Sequence, residues 1–192
     1  MELLKYSDFK NIGNVAKHCD KEKMDVAENE AILFDVAQLF CENWDEIESI
    51  FIEVNEGSTD ENKINLINGG NYVGCGGGAK KHSGVRDLLA YYSYSRYVII
   101  NGYSDTATGL KQKTDDFTIP IALKELEQFA DKYRNMGLIV FGQIENYLCS
   151  NKEFFTWRKG DCKCGCSDGK CTGTKAKGYG FKSSNITKNG LR

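Results

Sequence analysis

Residues 84–103 read GVRDLLAYYSYSRYVIINGY and carry the clearest structural pattern in the chain. Large apolar side chains return there every three or four residues, which places them on one face of an α-helix. Arg96 lies on the same face, where its aliphatic stem can cover apolar surface. Ser83 is expected to cap this helix and Gly102 to end it. The face consists of Val85, Leu88, Leu89, Tyr92, Ile99, Ile100 and Tyr103.

A second stretch, residues 120–149, repeats this spacing and predicts a longer helix. Thr118 and Pro120 mark its start, because proline suits the first turn of a helix. Two matching helices joined by a polar loop over residues 104–118 predict an antiparallel hairpin. Small residues within the second helix should let a neighbouring helix approach closely. The apolar face consists of Leu126, Phe129, Ala130, Tyr133, Gly137, Val140, Phe141 and Ile144, and Gly142 is the other small residue.

Residues 21–44 predict another helix, with Asp20 as its cap. One face carries Val26, Leu33, Val36, Ala37, Phe40 and Trp44, and a second row carries Ala27, Ala31, Phe34 and Cys41. Residues 45–54 fit either a helix or a strand. The acidic face of Asp45, Glu46 and Glu48 favours the helix, and these carboxylates are interpreted as solvated.

Residues 55–83 form a long insertion rich in Gly, Asn and Asp. Ile64 to Ile67 and Tyr72–Val73, separated by an Asn-Gly turn, can form a small β-hairpin. Gly74 to Gly78 would be a flexible exit from it. A loop of this length in a compact domain is usually functional.

The net charge of −2 conceals two oppositely charged parts. Residues 151–192 carry ten Lys/Arg and three Asp/Glu, a net charge of +7, whereas the other 150 residues carry 15 and 24, a net charge of −9. We therefore divide the chain into a lead-in (1–20), a helical domain (21–150) and a Cys/Gly/Lys-rich arm (151–192). A basic arm can bind nucleic acid, an acidic partner or the acidic body of another copy.

The N-terminus MELLKYSDFK does not resemble a signal peptide, and no apolar run is long enough to cross a membrane. The eight cysteines are therefore expected to be made as thiols in a reducing compartment. Together these patterns predict a mainly α protein, a small helical bundle with long loops and an extended C-terminal tail.

No catalytic or cofactor-binding constellation is evident. The stretch Gly74–Lys81 departs from a phosphate-binding loop, because Ala79 replaces its second glycine and Lys81 its hydroxyl residue. His18 lies beside Cys19, but adjacent side chains rarely face each other and no third group orients them. His82 is expected to be a cap or solvent-exposed residue. We therefore predict no enzyme activity and assign no catalytic, cofactor or metal residues.

The sharpest local signal is Cys162, Cys164, Cys166 and Cys171. Four thiolates can form a tetrahedral zinc site. The spacing here is tighter, however, than in the usual structural zinc sites, which have two Cys-x₂₋₄-Cys motifs. Free thiols and disulfides are the other interpretations. Lysines alternate with Trp157, Tyr179 and Phe181 in the same tail, which suits nucleic-acid binding or an arm laid on an acidic protein. The scarcity of arginine favours the arm.

Tyrosines occupy nearly every face of the first predicted helix. Tyr91 and Tyr94 point away from its apolar stripe, so they can line a contact with another subunit. Packing under the two long loops is the alternative.

The order of elements is similar to that of a known class of virion proteins. Residues 26–31, VAENEA, resemble an acidic-Ala-x-x-Glu-Ala signature on a first helix. A long loop, the aromatic helix containing LLAYYSYSRY (residues 88–97), a polar loop and a final helix over residues 127–147 follow. Residues 15–150 thereby resemble head-to-tail connector (adaptor, or ring) proteins of tailed bacteriophages, particularly crAss-like phages.

The resemblance implies a structural virion protein at the portal vertex or tail neck, made in the bacterial cytoplasm. It implies a homo-oligomer, typically a twelve-copy ring, that contacts the portal protein and further tail proteins and surrounds channel DNA without sequence specificity. The Cys-rich tail and the Gly-rich insertion depart from this family. The alternative is a small zinc- or nucleic-acid-binding regulatory module that acts through its tail.

Overall fold

The structure, a computed structural model, describes residues 3–12, 19–74, 76–106, 109–112, 122–157, 166–167 and 170–171. The described chain is mostly helical, as predicted, with two two-stranded hairpins between helices and a third after the last helix. The helices are α1 (Lys21–Ala31), α2 (Ala37–Phe40), α3 (Trp44–Glu56), α4 (Glu61–Asn68), α5 (Gly84–Gly102) and α6 (Leu123–Ser150). The strands are β1 (Gly70–Val73), β2 (Ala79–His82), β3 (Tyr103–Thr106), β4 (Gly109–Gln112), β5 (Cys166–Ser167) and β6 (Lys170–Cys171).

Helix α5 lies at the centre of the molecule, with α1 and α6 packed along it. The hydroxyl of Ser95 donates a hydrogen bond to the carbonyl of Ala130 (2.9 Å). Near one end of α5, Gly102 approaches Leu126, and at the other His82, just before α5, stacks on Tyr147. Residue numbers therefore rise along α5 as they fall along α6, which confirms the predicted antiparallel hairpin.

The predicted apolar face of α5 is buried from Val85 to Tyr92, but burial extends beyond it. The additional buried residues are Ala90, Ser93, Tyr94, Ser95 and Tyr97. Helices contact α5 on several sides, so a single stripe underestimates its buried surface. Ser83 stands at the predicted N-cap position, but its side chain makes no capping hydrogen bond. Instead Gly84 begins the helix with φ +83°, a conformation that suits glycine.

The face predicted for α6 is confirmed, with Leu126, Ala130, Tyr133, Val140 and Ile144 buried. A Cβ at Gly137 would lie 2.7 Å from the ring of Tyr92, so this glycine does allow a close helix approach. Gly142 plays no such part, since a Cβ there would meet nothing within 4 Å. The helix begins at Leu123, and the predicted start signals Thr118 and Pro120 lie outside the described residues.

The helix predicted over residues 21–44 begins as expected, because the Asp20 carboxylate accepts a hydrogen bond from the Lys23 amide (3.3 Å). Its predicted faces are wrong for Val26, Leu33 and Phe34, which are exposed. Met24, Ala27, Glu28 and Ala31 are buried instead. A π-helical segment, Ile32–Val36, then continues this buried face, because the next buried residue after Ala31 is Val36, a step of five. The regular helix then ends at Phe40, and a 3-10 turn, Cys41–Asn43, leads into α3.

Residues 45–54 form part of helix α3, as favoured, and Asp45 and Glu46 are exposed on it.

The hairpin predicted in residues 55–83 exists, but with different strands. Ile64 to Ile67 belong to α4, which Asp60 caps by accepting from the amides of Asn62 and Lys63. The strands are β1 and β2, which pair from Gly70↔His82 to Val73↔Ala79. Likewise, the loop predicted over residues 104–118 contains the β3–β4 hairpin.

The lead-in and the start of the tail both pack into the body. Leu3, Leu4, Phe9 and Ile12 are buried, and the Glu28 carboxylate accepts hydrogen bonds from the amides of Leu3 (2.7 Å) and Leu4 (3.1 Å). At the other end, Phe155 is buried against Tyr147, with ring centroids 5.7 Å apart. The residues immediately after α6 are therefore part of the core.

Candidate interaction surfaces

Arg96 is a structural group that fixes α1 to α5. Its Nε donates to Asp35 (2.6 Å) and its Nη1 to Glu30 (3.0 Å). Its guanidinium also lies over the ring of Phe34, 5.4 Å from the centroid. Planar guanidinium groups suit such combined pairing and stacking. One flat face and two nitrogens of this cation are thus used within the molecule.

A groove of about 330 Å³ runs between α1 and α6 above α5. Its walls carry charges of both signs: Arg96, Arg134, Glu30, Glu127 and Asp131. The hydroxyl of Ser95, which also lines it, already donates to the Ala130 carbonyl. No pairing of a nucleophile with a base occurs among these lining residues. The groove therefore presents a mixed-charge surface without an evident catalytic group.

Arg86 joins four separate segments of the chain. It donates from Nη1 to Asp8 (3.0 Å), from Nη2 to Asn55 (2.7 Å) and from Nε to Asn68 (2.8 Å). Its guanidinium also stacks 4.7 Å above the ring of Phe51. This arginine, like Arg96, is committed to holding the fold together.

His82 is fully buried, with 1% of its surface exposed, so the expected cap or solvent-exposed role is wrong. Its ring stacks on Tyr147 at 4.1 Å and meets Tyr72 edge-on at 5.6 Å. Neither ring nitrogen has a hydrogen-bond partner among the described residues. Burial lowers the pKa of His82 to about 4, because the charged imidazolium would lose its hydration.

The tyrosines of α5 pack inside the molecule, which contradicts the subunit-contact interpretation for Tyr94. That residue is buried, with its ring edge-on to Tyr133 at 4.8 Å. Tyr91 is half-buried and stacks on the same Tyr133 at 6.4 Å. Burial also raises the pKa of Tyr94 to about 12. These rings form part of the interface between α5 and α6.

Six of the exposed apolar side chains lie on the outer faces of the two helical segments that flank α5, and the others are Tyr6, Val73, Leu123 and Phe154. On α1 and the π-helical segment they are Val26, Leu33 and Phe34, of which Leu33 is 63% exposed. On α6 they are Met136, Leu138 and Ile139, of which Ile139 is 64% exposed. Clustered exposed apolar residues are typical of protein–protein contacts. The sequence pattern missed both sets, because it assigned Val26, Leu33 and Phe34 to apolar faces and assigned the α6 residues to no face.

The glycine-rich stretch connects β1 to β2. Gly74 donates its amide to the carbonyl of Gly78 (2.9 Å), and Gly77 adopts φ +75°. The stretch thus joins two strands, whereas a phosphate-binding loop joins a strand to a helix N-terminus. The predicted flexible exit is the turn of this hairpin.

Two of the four tail cysteines are brought together. Cys166 and Cys171 are directly opposite each other in the β5–β6 ladder. Cys162 and Cys164 lie outside the described residues, as does His18. Within the described ranges, no three His, Cys, Asp or Glu side chains are grouped to hold a metal ion. Cys19 is half-buried against the core.

Across the described part of the chain, no helix combines the length and apolar character needed to span a bilayer. A protein-family model described as a family of unknown function (DUF6712) matches residues 50–167. This match begins within α3, includes α4, α5 and α6, and extends into the tail as far as residue 167. No curated protein and no solved structure matches the chain.

Proposed function

The chain belongs to DUF6712, a family of unknown function, and from this starting point we propose that it is a structural virion protein of a tailed bacteriophage. It would form a ring at the portal vertex that connects the head to the tail and extends the DNA channel. The copies would number about twelve, as the resemblance to connector proteins implies. The portal protein, tail proteins and channel DNA would be its neighbours, and it would perform no catalysis.

The observation that carries this proposal is the presence of exposed apolar residues on two different helices. A closed ring of identical subunits needs two unlike surfaces on each copy, because each contact joins one surface to the other. Leu33 on one side of α5 and Ile139 on the other supply two such surfaces. The half-buried arginines Arg86 and Arg96, by contrast, hold the fold together.

The opposite charges of body and tail support the same proposal. A tail of net charge +7 can bind the acidic surface of a neighbouring copy or of the portal. Phe155 belongs to the core, so the arm to test begins after Trp157.

Native mass spectrometry and electron microscopy of the purified full-length chain, alone and with the portal protein of the same phage, test this function. We expect closed rings and a ring–portal complex. Removing residues 158–192 should weaken the complex, because the basic tail is lost. Added salt should also weaken the full-length complex, because salt screens the attraction between charges. A chain that stays monomeric at high concentration and ignores the portal would contradict the proposal.

A second candidate function is favoured by the opposed Cys166 and Cys171. Cα atoms opposite each other in an antiparallel ladder lie about 4.5–5.5 Å apart, which suits two ligands of one metal ion. The chain would then be a zinc- or nucleic-acid-binding regulatory module acting through its tail. Stoichiometric zinc in the purified protein, lost in a C166S/C171S variant, together with salt-dependent DNA binding by a monomer, would favour this function.

A further inference from the structure

We infer that proton uptake by His82 releases the β1–β2 hairpin from α6 and, together with it, the first residues of the tail. A continuous set of aromatic side chains connects these parts, and we call it the aromatic cluster. It consists of Tyr72, His82, Tyr147, Phe155 and Trp157. The inference concerns a single copy of the chain, so it does not rest on the proposed ring function.

Tyr147 of α6, which is only 2% exposed, is at the centre of the aromatic cluster. From the hairpin, His82 stacks on its ring with the centroids 4.1 Å apart, and Tyr72 meets it edge-on at 5.4 Å. From the tail, Phe155 meets the same ring at 5.7 Å and lies 5.9 Å from the ring of Trp157. The hairpin and the start of the tail therefore pack on one side chain, so departure of the hairpin also weakens the packing of Phe155.

The closed cluster does not accommodate a positive charge on His82. This residue is buried, and neither ring nitrogen has a hydrogen-bond partner within the described ranges. A protonated imidazole has two N–H donors, and both would lack an acceptor there. Burial accordingly lowers the pKa of His82 to about 4, whereas in water the side chain takes up a proton below about pH 6.5. Acid therefore favours a state in which the imidazole has left the cluster.

Neighbouring segments carry charged groups, but among the described residues none bonds to the His82 ring. The Asp60 carboxylate accepts from amides of α4, Lys63 pairs with Glu53 (2.6 Å), and Tyr147 has its pKa raised to about 12 by burial. A proton on His82 therefore gains no ion pair in the closed state. The charged groups of these segments are Asp60, Glu61 and Lys63 near the start of α4, Lys80 and Lys81 on β2, Arg86 and Asp87 on α5, Glu145 on α6, and Lys152 and Glu153 in the tail.

The hairpin can leave α6 while the helices stay folded. Strands β1 and β2 pair with each other in a sheet of their own, so no ladder to another element has to break. Of their residues, His82 is buried, Gly70 and Tyr72 are half-buried, and the others are exposed. A segment with so few buried side chains opens at a lower free-energy cost than the core. Once detached, an isolated two-stranded hairpin is only marginally stable, so its own amides also lose protection.

Hydrogen–deuterium exchange of the full-length chain at several pH values, corrected for the intrinsic pH dependence of exchange, tests the inference. Opening of residues 70–82 should increase roughly 100-fold between pH 6.5 and 4, because the open state binds a proton that the closed state excludes. The amides of Phe154 and Phe155, which donate to the carbonyl of Asn151, should open together with the hairpin. Residues 88–97 of α5 should stay protected, because the opening is local.

His82→Phe should remove this increase in both segments, since phenylalanine can stack on Tyr147 without taking up a proton. The control His18→Gln should behave like the wild type and leaves His82 as the only histidine of the sequence. In that background, an NMR titration of the imidazole needs no substitution at His82. Its midpoint should lie well below 6.5 and coincide with the opening.

Fluorescence reports the tail side of the same event. Trp44→Phe leaves Trp157 as the only tryptophan, and its emission should shift to longer wavelength as the pH falls from 6.5 to 4. The shift should be absent in the double variant Trp44→Phe/His82→Phe.

Three results would overturn the inference. Opening of residues 70–82 that increases equally in His82→Phe would assign the acid response to carboxylates. Opening of the hairpin while Phe154 and Phe155 stay protected would show that the tail does not follow it. Loss of protection in residues 88–97 at the same pH would show that acid unfolds the whole molecule.

Discussion

At the scale of single residues, Gly137 decides how closely α6 approaches α5. A Cβ there would lie 2.7 Å and 2.9 Å from two ring atoms of the buried Tyr92. The ring is enclosed, so it cannot move away without disturbing its neighbours. The same helix contains Gly142, where a Cβ meets nothing within 4 Å.

We expect Gly137→Ala to lower the free energy of unfolding by about 1–3 kcal/mol through overpacking. Gly142→Ala should raise it by up to about 1 kcal/mol, because alanine has the higher helix propensity. Urea unfolding followed by circular dichroism measures both. Equal effects of the two substitutions would show that the approach to Tyr92 is not close.

His82 makes stability depend on pH. Its folded pKa of about 4 lies below the ordinary 6.5, so its neutral form is the one the fold accommodates. Above about pH 6.5 the histidine is neutral in both the folded and the unfolded chain, and the free energy of unfolding is highest. As the pH falls towards 4, the unfolded chain takes up a proton that the folded chain does not, so the free energy of unfolding decreases by roughly 3 kcal/mol in all. The rings of Tyr72 and Tyr147 face His82, and burial raises the pKa of Tyr147 to about 12.

His82→Phe should flatten the loss of stability between pH 6.5 and 4, because phenylalanine can stack on Tyr147 without taking up a proton. Chemical unfolding at several pH values measures the slope. His18→Gln, at the second histidine of the sequence, serves as the control. If the free energy of unfolding of His82→Phe still fell between pH 6.5 and 4, the loss would come from carboxylates and not from His82.

At the scale of elements, Cys41 ends the helical segment that starts at α1. Its backbone adopts φ +50° and ψ −126°, a region that favours glycine. Its thiol donates to the carbonyl of Gln38 (3.1 Å). The strain is therefore located at the corner between α2 and α3.

We expect Cys41→Gly to raise the free energy of unfolding by about 1 kcal/mol relative to Cys41→Ala. Both variants lose the hydrogen bond of the thiol. The difference between their free energies of unfolding therefore measures the cost of the backbone conformation at this position. Differential scanning calorimetry measures the comparison. A less stable glycine variant would show that the corner is not strained.

At the scale of the whole molecule, the packed core includes residues that follow the end of α6. Phe155 is buried against Tyr147, and Trp157 packs beside it at 5.9 Å between ring centroids. A chain cut after Trp157 should therefore unfold like the full-length protein. A chain cut after Ser150 should lose about 3–5 kcal/mol, the usual cost of removing a buried aromatic ring.

Thermal unfolding of the two truncated chains checks this boundary. The longer one also provides the appropriate body for testing whether the basic tail binds a neighbour, because its core is intact. If both truncations unfolded alike, Phe155 would contribute little to the core.

The sequence by itself determined α1, α3, α5 and α6, the Asp20 cap and the pairing of α5 with α6, but it predicted a strand where α4 lies. These follow from apolar spacing and capping chemistry, which act over a few neighbouring residues. It also indicated the close approach at Gly137, because small residues on an apolar face of a helix point to a neighbour.

Only the tertiary structure decided which face of α1 is covered and how far burial extends around α5. The buried side of α1 is the row Met24, Ala27 and Ala31, which leaves Val26 and Leu33 exposed, and the π-helical step from Ala31 brings Val36 onto the buried side. Packing on several sides of α5 buries Tyr94, and the meeting of the β1–β2 hairpin with α6 buries His82. Burial depends on residues far apart in the chain, so periodicity within one segment could not reveal it.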